Sequence, residues 1–322
     1  MNVWAENSPG RARAGFIVGP TGAGKTAVAI AVAERLGAEI VNADSRQIYR
    51  GMDLGTAKPS AADRARVRHH LIDVCDPRRP IDVAEFARIA TAALNAIAAR
   101  GRPAIVVGGS GLYLRALRGG IFPGPPAAPK IRAALAAEAA AHGTSPLHAR
   151  LAAIDPASAA RIAPNDLRRV IRALEVWEVS GVALSEHQGR HRFGGGVGAG
   201  LILGLTRERA RLCEIIDRRF DAMLAAGLVD EVRGLLAAGV SAGGPPLETI
   251  GYREIAAYLG GQCTLAEAAD RARRASRQLA KRQMTWFRRE PGVQWLDPER
   301  AIDQAGARFA EFFAAERAQL NG

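Results

Sequence analysis

The stretch Gly19-Pro20-Thr21-Gly22-Ala23-Gly24-Lys25-Thr26 decides the fold of this chain. It has the form G-x-x-x-x-G-K-T, follows the apolar run 16–18 and precedes an alanine-rich helical pattern over 27–36. A strand, a glycine-rich loop and a helix in this order form a phosphate-binding loop, because the loop amides and the helix N-terminus attract an anion. Lys25 adds a full positive charge, and the Thr26 hydroxyl can ligate Mg²⁺. The motif therefore predicts a site for a diphosphate or a triphosphate.

The composition indicates a polyanionic partner and excludes several classes of protein. The 322 residues have a formal net charge of +12. Such a charge points to a polyanionic partner, most simply a nucleic acid, or to a solvated basic surface. Cys75, Cys213 and Cys263 have no paired spacing, so neither a disulfide framework nor a zinc site is predicted. No apolar run approaches about 18 residues and no signal pattern stands at the start, so we expect a cytoplasmic protein that does not enter a membrane.

The predicted strands converge on the phosphate loop. They are expected at 16–18, 39–42, 69–74, 103–107, 201–205 and, at an edge, 293–296. Ligands of an open α/β sheet bind beyond the carboxyl ends of its strands, which is where Asp44 stands. An acid in that place is also a common helix N-cap. The strand 103–107 is followed by Gly108-Gly109-Ser110, whereas such a strand in P-loop ATPases often ends in an aspartate that holds Mg²⁺.

These patterns predict an α/β fold, with a parallel sheet core like that of P-loop NTPases, flanked by helices, and an all-helical insertion. Residues 1–122 form the first part of the core, 123–197 the insertion and 198–322 the second, mostly helical part. The insertion ends at a glycine-rich linker over 194–198 and can move relative to the core. Thr206 is predicted to cap the helix that follows it. A helix over 270–289 presents one basic face to solvent or to RNA, with basic residues at 271, 274, 281, 282, 288 and 289.

Three kinds of function are compatible with these features. The first is a small-molecule kinase, in which the loop binds ATP, Asp44 accepts a proton from the acceptor and the insertion is a lid. The second is a transferase that modifies a nucleic acid and uses a phosphorylated donor. The third is an RNA-binding NTPase switch, which the lack of an N-K-x-D motif makes weaker. The positive charge and the arginines of the insertion favour the second.

Further motifs carry a more specific resemblance. After the phosphate loop come N-A-D-S-R-Q-I-Y (42–49), G-M-D-L-G-T-A-K-P (51–59), H-H-L-I-D (69–73), G-G-S-G-L-Y (108–113), D-L-R-R-V-I-R-A-L-E (166–175), I-G-Y (250–252) and K-R-Q-M-T-W (281–286). In this order, over about 15–290, they resemble the tRNA dimethylallyltransferase family. Ser110 stands where that family usually has a threonine, which keeps the hydroxyl group.

The resemblance implies transfer of a dimethylallyl group from dimethylallyl diphosphate to N6 of adenosine 37 of tRNA, next to the anticodon, with release of pyrophosphate. It implies that Asp44 is the catalytic base and that Lys25, Thr26 and Arg219 act on the diphosphate, which residues 19–26 bind together with Mg²⁺ on Thr26. We also expect a monomer. The residues implied to contact the tRNA anticodon stem-loop are Asp44, Ser45, Arg46, Gln47, Ser110, Arg132, Arg168, Arg169, Val170, Ile171 and Arg172.

Overall fold

The computed structural model describes residues 13–120, 124–190 and 200–320. Its strands are β1 (Gly15–Val18), β2 (Glu39–Asn42), β3 (His69–His70), β4 (Ala104–Gly108), β5 (Ile202–Gly204) and β6 (Val293–Trp295). Its helices are α1 (Lys25–Leu36), α2 (Ala61–Arg66), α3 (Val83–Ala98), α4 (Gly111–Gly119), α5 (Pro129–His142), α6 (Ser145–Ile154), α7 (Pro156–Ala159), α8 (Leu167–Ser180), α9 (Leu184–Arg190), α10 (Arg209–Ala225), α11 (Leu228–Ala237), α12 (Tyr252–Leu259), α13 (Leu265–Arg288) and α14 (Ala301–Leu320). No described helix combines the length and the apolar character that crossing a membrane requires.

The described strands form a parallel sheet in the order β3-β2-β4-β1-β5-β6. β1 lies inside the sheet, hydrogen-bonded to β4 on one side and to β5 on the other. Parallel neighbours require crossover connections, which the helices between the strands provide. The carboxyl ends of all these strands therefore meet at one edge, where the loop after β1 faces the loops after β2, β4 and β5. The predicted parallel α/β core is confirmed.

Both faces of the sheet are buried, which explains the continuous apolar character of β1. Ile17 packs in a cluster with side chains of α1 and α14. Phe16 and Val18 belong to a second cluster, with side chains of α3, α4 and α13. Side chains alternate between the faces of a strand, and each large buried one contributes about 1.5–3 kcal/mol. This burial on both sides anchors the base of the phosphate loop.

The strand predicted over 69–74 is wrong beyond its first two residues. β3 ends at His70 because Leu71 and Asp73 have φ angles of 61° and 59°, in the left-handed region. Those angles are incompatible with an extended strand. The resulting turn brings the Asp73 carboxylate to 2.5 Å from Nζ of Lys58. The turn therefore shortens the edge strand β3 and allows an ion pair that holds the loop 51–59.

The helix after β5 begins later than predicted. Thr206 does not cap it, because α10 starts at Arg209 and the Glu208 side chain accepts hydrogen bonds from two amides of the first turn, at 2.9 and 3.0 Å. An acid in this place satisfies free amides and suits the positive end of the helix. Residues 205–207 consequently form a loop at the carboxyl end of β5, beside the phosphate loop.

Contacts between residues divide the chain into two compact units, 1–120 with 196–322 and 121–195. The first unit contains the sheet. In the second unit, helices α5 to α9 surround a small core of their own, in which Leu147, Leu151 and Val170 are fully buried. The glycine-rich linker predicted over 194–198 lies outside the described residues.

A buried carboxylate organises the second unit. Glu175 has no exposed side-chain surface and accepts hydrogen bonds from Arg132 at 2.7 and 3.0 Å, from Arg172 at 2.6 Å and from the amide of Ala128 at 2.7 Å. Burial alone would raise the pKa of Glu175, but these hydrogen bonds outweigh it and hold the pKa below its ordinary value. The cluster ties α8 to the beginning of α5.

Removing this carboxylate should weaken the second unit. We expect Glu175→Gln to lower the free energy of unfolding by up to about 3 kcal/mol, because two guanidinium groups lose their acid while each keeps some contact with water. The folded pKa of Glu175 is lowered, so its contribution is complete above the unfolded pKa of about 4.3 and disappears as the pH falls through the folded value. Urea denaturation at several pH values between about 3 and 7 measures both effects.

The matched control for that measurement is Glu178→Gln on the same helix. Glu178 is half-exposed and lies 3.4 Å from Arg150, so its replacement should change the free energy of unfolding by less than about 1 kcal/mol. Hydrogen exchange over 124–190 locates the loss. This account of the cluster would be contradicted if both variants lost the same free energy of unfolding. It would also be contradicted if the free energy of unfolding of Glu175→Gln fell with decreasing pH as steeply as that of the wild type.

Candidate active site

The phosphate loop passes so close to β5 that glycine is required at its first position. Gly19 has a φ angle of 144°, and a Cβ atom on it would lie 2.3 Å from the carbonyl oxygen of Leu205. No other residue type fits this approach without moving the backbone. The loop then leads into α1, whose N-cap is Gly24. The free amides of this helix start and those of the loop form a place for an anion.

Lys25 and Arg219 both donate hydrogen bonds to residues of the loop. Lys25 donates a hydrogen bond from Nζ to the Pro20 carbonyl oxygen at 2.8 Å, and Nη2 of Arg219 donates to Oγ1 of Thr21 at 2.7 Å. Burial lowers the pKa of Lys25 to about 8, with the Asp44 carboxylate opposing the shift. Desolvation also lowers the pKa of Arg219, although part of its side chain stays exposed, and Asp44 again opposes the shift. Burial therefore disfavours the charged forms of Lys25 and Arg219, and a bound anion would stabilise them.

Thr26 is the side chain of the loop that was predicted to ligate a metal ion. Thr26 stands in the first turn of α1 and is half-buried. The described residues contain no cluster of three or more His, Cys, Asp or Glu side chains that could hold a metal ion. This donor set suits Mg²⁺, which usually takes few protein ligands and completes its shell with phosphate oxygens and water.

Asp44 occupies the carboxyl end of β2 beside this positive charge. Its Oδ1 atom accepts hydrogen bonds from the amide of Arg46 at 2.8 Å and that of Gln47 at 3.4 Å. Asp44 therefore caps a turn, not a helix as the alternative interpretation of the sequence held. Its other oxygen, Oδ2, makes no hydrogen bond to a described residue. The carboxylate is thus oriented through one oxygen while the other is free to accept a proton.

The neighbouring residues predicted to contact tRNA connect the strand ends. The Ser45 amide donates to Oγ of Ser110 at 3.2 Å, which links the loop after β2 to the loop after β4. Arg46 donates to the Pro245 carbonyl oxygen at 2.5 Å, and Gln47 donates to backbone carbonyls of the loop 51–59. All four side chains are half-buried. These hydrogen bonds fix the loop that carries Asp44.

The predicted tRNA contacts of the insertion differ in exposure. The arginines at 168–169 are exposed. Val170 is fully buried and Ile171 is packed against the same core, so these side chains stabilise the unit and do not face a ligand. Arg132 and Arg172 are held in the buried ion-pair cluster described above. Both arginines of that cluster keep part of their side chain exposed, 47% for Arg132 and 34% for Arg172.

Helix α13 has an exposed basic face, and the side chains of that face form no ion pair with a described residue. Arg273 and Arg277 pair with Asp221 and Asp217 of α10, the second pair at 2.6 Å. The other basic positions of this helix point to solvent, as the spacing predicts. They are Arg271, Arg274, Lys281, Arg282, Arg288 and Arg289.

Gln283 on α13 joins two loops of the site, and sequence reasoning missed it. Its Oε1 accepts a hydrogen bond from the amide of Thr21 at 2.8 Å, and its Nε2 donates to the Gly109 carbonyl oxygen at 2.9 Å. One amide side chain thus holds the phosphate loop against the loop after β4. Gln283 belongs to the motif at 281–286, which marks it as a candidate. The sequence pattern does not predict that α13 reaches the phosphate loop.

A second group that was missed fixes the loop 51–59. The Glu231 carboxylate accepts hydrogen bonds from the amides of Asp53, Leu54 and Gly55 at 3.1, 2.8 and 3.3 Å, and from the Tyr252 hydroxyl at 2.5 Å. Burial, together with the Glu231 charge, raises the pKa of Tyr252 far above its ordinary value, so it remains a donor. An irregular loop with buried amides needs such an acceptor.

The chain is similar to known proteins of one family. The family model described as IPP transferase matches residues 47–290. A tRNA dimethylallyltransferase of Anaeromyxobacter dehalogenans is 51% identical over 283 residues, which are 88% of this chain and 94% of that protein. One of Geobacter sulfurreducens is 46% identical over 92% of this chain and 96% of that protein.

The fold is also similar to solved structures. The tRNA isopentenylpyrophosphate transferase of Bacillus halodurans is 38% identical, with a TM-score of 0.72 and coverage of 97% of this chain and all of that one. A eukaryotic dimethylallyltransferase acting on tRNA is 26% identical, with a TM-score of 0.74 over 95% of this chain and 77% of that one. The family match spans more than half of the chain, and the relatives cover nearly all of it. The chain therefore belongs to the IPP transferase family.

Proposed function

We propose that this enzyme transfers a dimethylallyl group from dimethylallyl diphosphate to N6 of adenosine 37 in tRNA, next to the anticodon, and releases pyrophosphate. The observation that carries the proposal is the position of Asp44 beside Lys25 and Arg219 at the phosphate loop. A proton acceptor next to an anion site suits a reaction in which an amine loses a proton and displaces a diphosphate. The names of the relatives support the same reaction. We further propose that the chain acts as a monomer in the cytoplasm.

The loop would bind the leaving group. As the allylic C–O bond breaks, negative charge develops on the departing pyrophosphate, and donors already placed around it stabilise that charge most effectively. Lys25 and Arg219 would supply the full positive charges, and the amides of residues 19–26 the hydrogen bonds. Thr26 and the diphosphate oxygens would hold Mg²⁺, which would neutralise further charge on the leaving group.

Asp44 would act on the nucleophile. The exocyclic amine of adenine is a weak nucleophile because its lone pair is delocalised into the ring. A carboxylate in hydrogen-bond reach orients this amine and takes its proton as the new C–N bond forms. The amides of Arg46 and Gln47 hold one oxygen of Asp44 and leave the other for this task.

The positive surfaces would bind the RNA. The net charge of +12, the exposed face of α13 and the arginines at 168–169 offer contacts to phosphate groups. The target base must leave its stack to reach Asp44. Ser45, Arg46, Gln47 and Ser110 would contact the flipped nucleotide, because they surround the acid. Arg132 and Arg172 would hold the helices of the insertion in place through Glu175, and their exposed parts would contact the RNA.

The identity of the donor provides the first test. Incubation of the enzyme with tRNA, Mg²⁺ and labelled dimethylallyl diphosphate should yield isopentenyl-adenosine in the tRNA digest, detected by chromatography and mass spectrometry. ATP should not replace the donor, because it carries no allylic group. Turnover of ATP with phosphorylation of a small metabolite, and no label in the tRNA, would establish the kinase alternative instead.

The role of Asp44 provides the second test. We expect Asp44→Asn to lower kcat about 10²–10⁴-fold, because the amide keeps the hydrogen bonds to Arg46 and Gln47 but cannot take a proton. The dissociation constant for tRNA should change by only a few-fold. The control is Glu248→Gln, which removes one exposed negative charge from the same unit. A turnover of Asp44→Asn near that of the control would remove Asp44 as the base.

The lowered pKa of Lys25 predicts how donor binding depends on pH. A lysine with a pKa of about 8 is protonated below that pH and loses its charge above it. The dissociation constant for dimethylallyl diphosphate should therefore be constant below about pH 7 and rise about tenfold by pH 9. Calorimetric titration across this range measures it. Lys25→Arg should bind with an affinity that does not change over the same range; a parallel decline in both proteins would assign the titration to another group.

A further inference from the structure

Arg207 lies beside the phosphate loop, and neither the sequence patterns nor the mechanism above uses it. It belongs to the loop between β5 and α10. A Cβ atom on Gly24 would lie 3.6 Å from Nη2 of Arg207, so the guanidinium group stands against the residue before Lys25. Gly24 is the N-cap of α1, where backbone amides have no partner within the helix.

The guanidinium group of Arg207 has an unfilled hydrogen bond. Its Nε atom is buried and makes no hydrogen bond to any described residue. No described carboxylate lies within ion-pair distance of the side chain either. By contrast Arg211, four residues further along the chain, forms an ion pair with Glu214 at 2.9 Å. A buried donor without a partner is rare in native proteins and calls for an explanation.

Arg207 shares the phosphate loop with other positive groups. Lys25, Arg219 and the positive end of α1 all stand at the same loop. Asp44 is the acid that acts on Lys25 and Arg219, and it lies at the end of a different strand. An arginine in such a place gains hydrogen bonds and charge neutralisation together when a phosphate group arrives.

We propose that Arg207 binds the diphosphate together with Lys25 and Arg219. This inference rests on the proposed function, in which the loop holds first the diphosphate donor and then pyrophosphate. Nε and Nη2 share one edge of the guanidinium group, so together they can donate two parallel hydrogen bonds to one phosphate. The same two nitrogens of Arg66 bind the Glu34 carboxylate at 2.8 and 2.7 Å. Arg219 contacts Thr21, and Arg207 stands at Gly24, so they approach different parts of the loop.

The experiment measures diphosphate binding and turnover in the full chain. Calorimetry with inorganic pyrophosphate and Mg²⁺ gives the affinity for the product, and steady-state kinetics with dimethylallyl diphosphate and tRNA give KM and kcat. We expect Arg207→Gln to weaken pyrophosphate binding about 10- to 100-fold. The loss should be smaller for dimethylallyl diphosphate, which carries less negative charge. Arg207→Lys should recover part of the affinity, and Arg211→Gln should match the wild type.

A purely structural role gives a different result. If Arg207 only packs the loop, Arg207→Gln lowers the melting temperature of the free protein but leaves the rise caused by pyrophosphate unchanged, and the inference is overturned. It is also overturned if the wild type binds pyrophosphate and turns over the donor while Arg207→Gln does both equally well; the proposed function then stands. A wild type that binds neither diphosphate and makes no isopentenyl-adenosine overturns both.

Discussion

The close approach of the phosphate loop to the end of β5 is the constraint on which the site depends. Gly19 lies so near the Leu205 carbonyl oxygen that no side chain fits between them. This contact follows from the parallel pairing of β1 with β5, whose residues are buried on both faces. The segment that leaves β5 is thereby brought against the loop, and α10 and α13 pack on the same side. Arg219 and Gln283 reach Thr21 only because these helices are placed there.

The difference between Lys25 and Lys58 shows which charges are available to a ligand. Both lysines lie in motifs quoted from the sequence. Lys58 retains 4% of its side-chain exposure and pairs with Asp53 and Asp73, at 2.6 and 2.5 Å, so its charge holds a loop together. Lys25 donates only to a backbone carbonyl, and its pKa is lowered. A cation that burial destabilises and no acid compensates at short range is a cation prepared for an anionic ligand.

The sequence predicted the parts of this protein that depend on local pattern. The phosphate loop, the buried strands around it and the position of Asp44 follow from hydrophobic runs and glycine spacing over short distances. The contact between Gln283 and the loop joins residues 262 positions apart, and no period or motif spacing specifies such a contact. The turn at Leu71 was missed for a related reason: its left-handed backbone is stabilised by the tertiary ion pair of Asp73, while the apolar residues around it favour a strand. For the same reason the exposure of individual residues of α8 could not be foreseen, and Val170 proved to be a core residue.

The strand end that lacks an aspartate is the clearest link between the fold and the chemistry. In P-loop ATPases an acid after this strand often binds Mg²⁺, and its negative charge would offset the cations of the loop. Here Gly109 stands in that region, and a Cβ atom on it would lie 2.5 Å from Nε2 of Gln283. The neutral amide of Gln283 therefore fills the space that a side chain at position 109 would need. No described carboxylate forms an ion pair with Lys25 or Arg219, and the acid that acts on both of them, Asp44, follows β2. In the proposed reaction, the loop that binds the diphosphate and the acid that accepts the proton therefore follow different strands, β1 and β2.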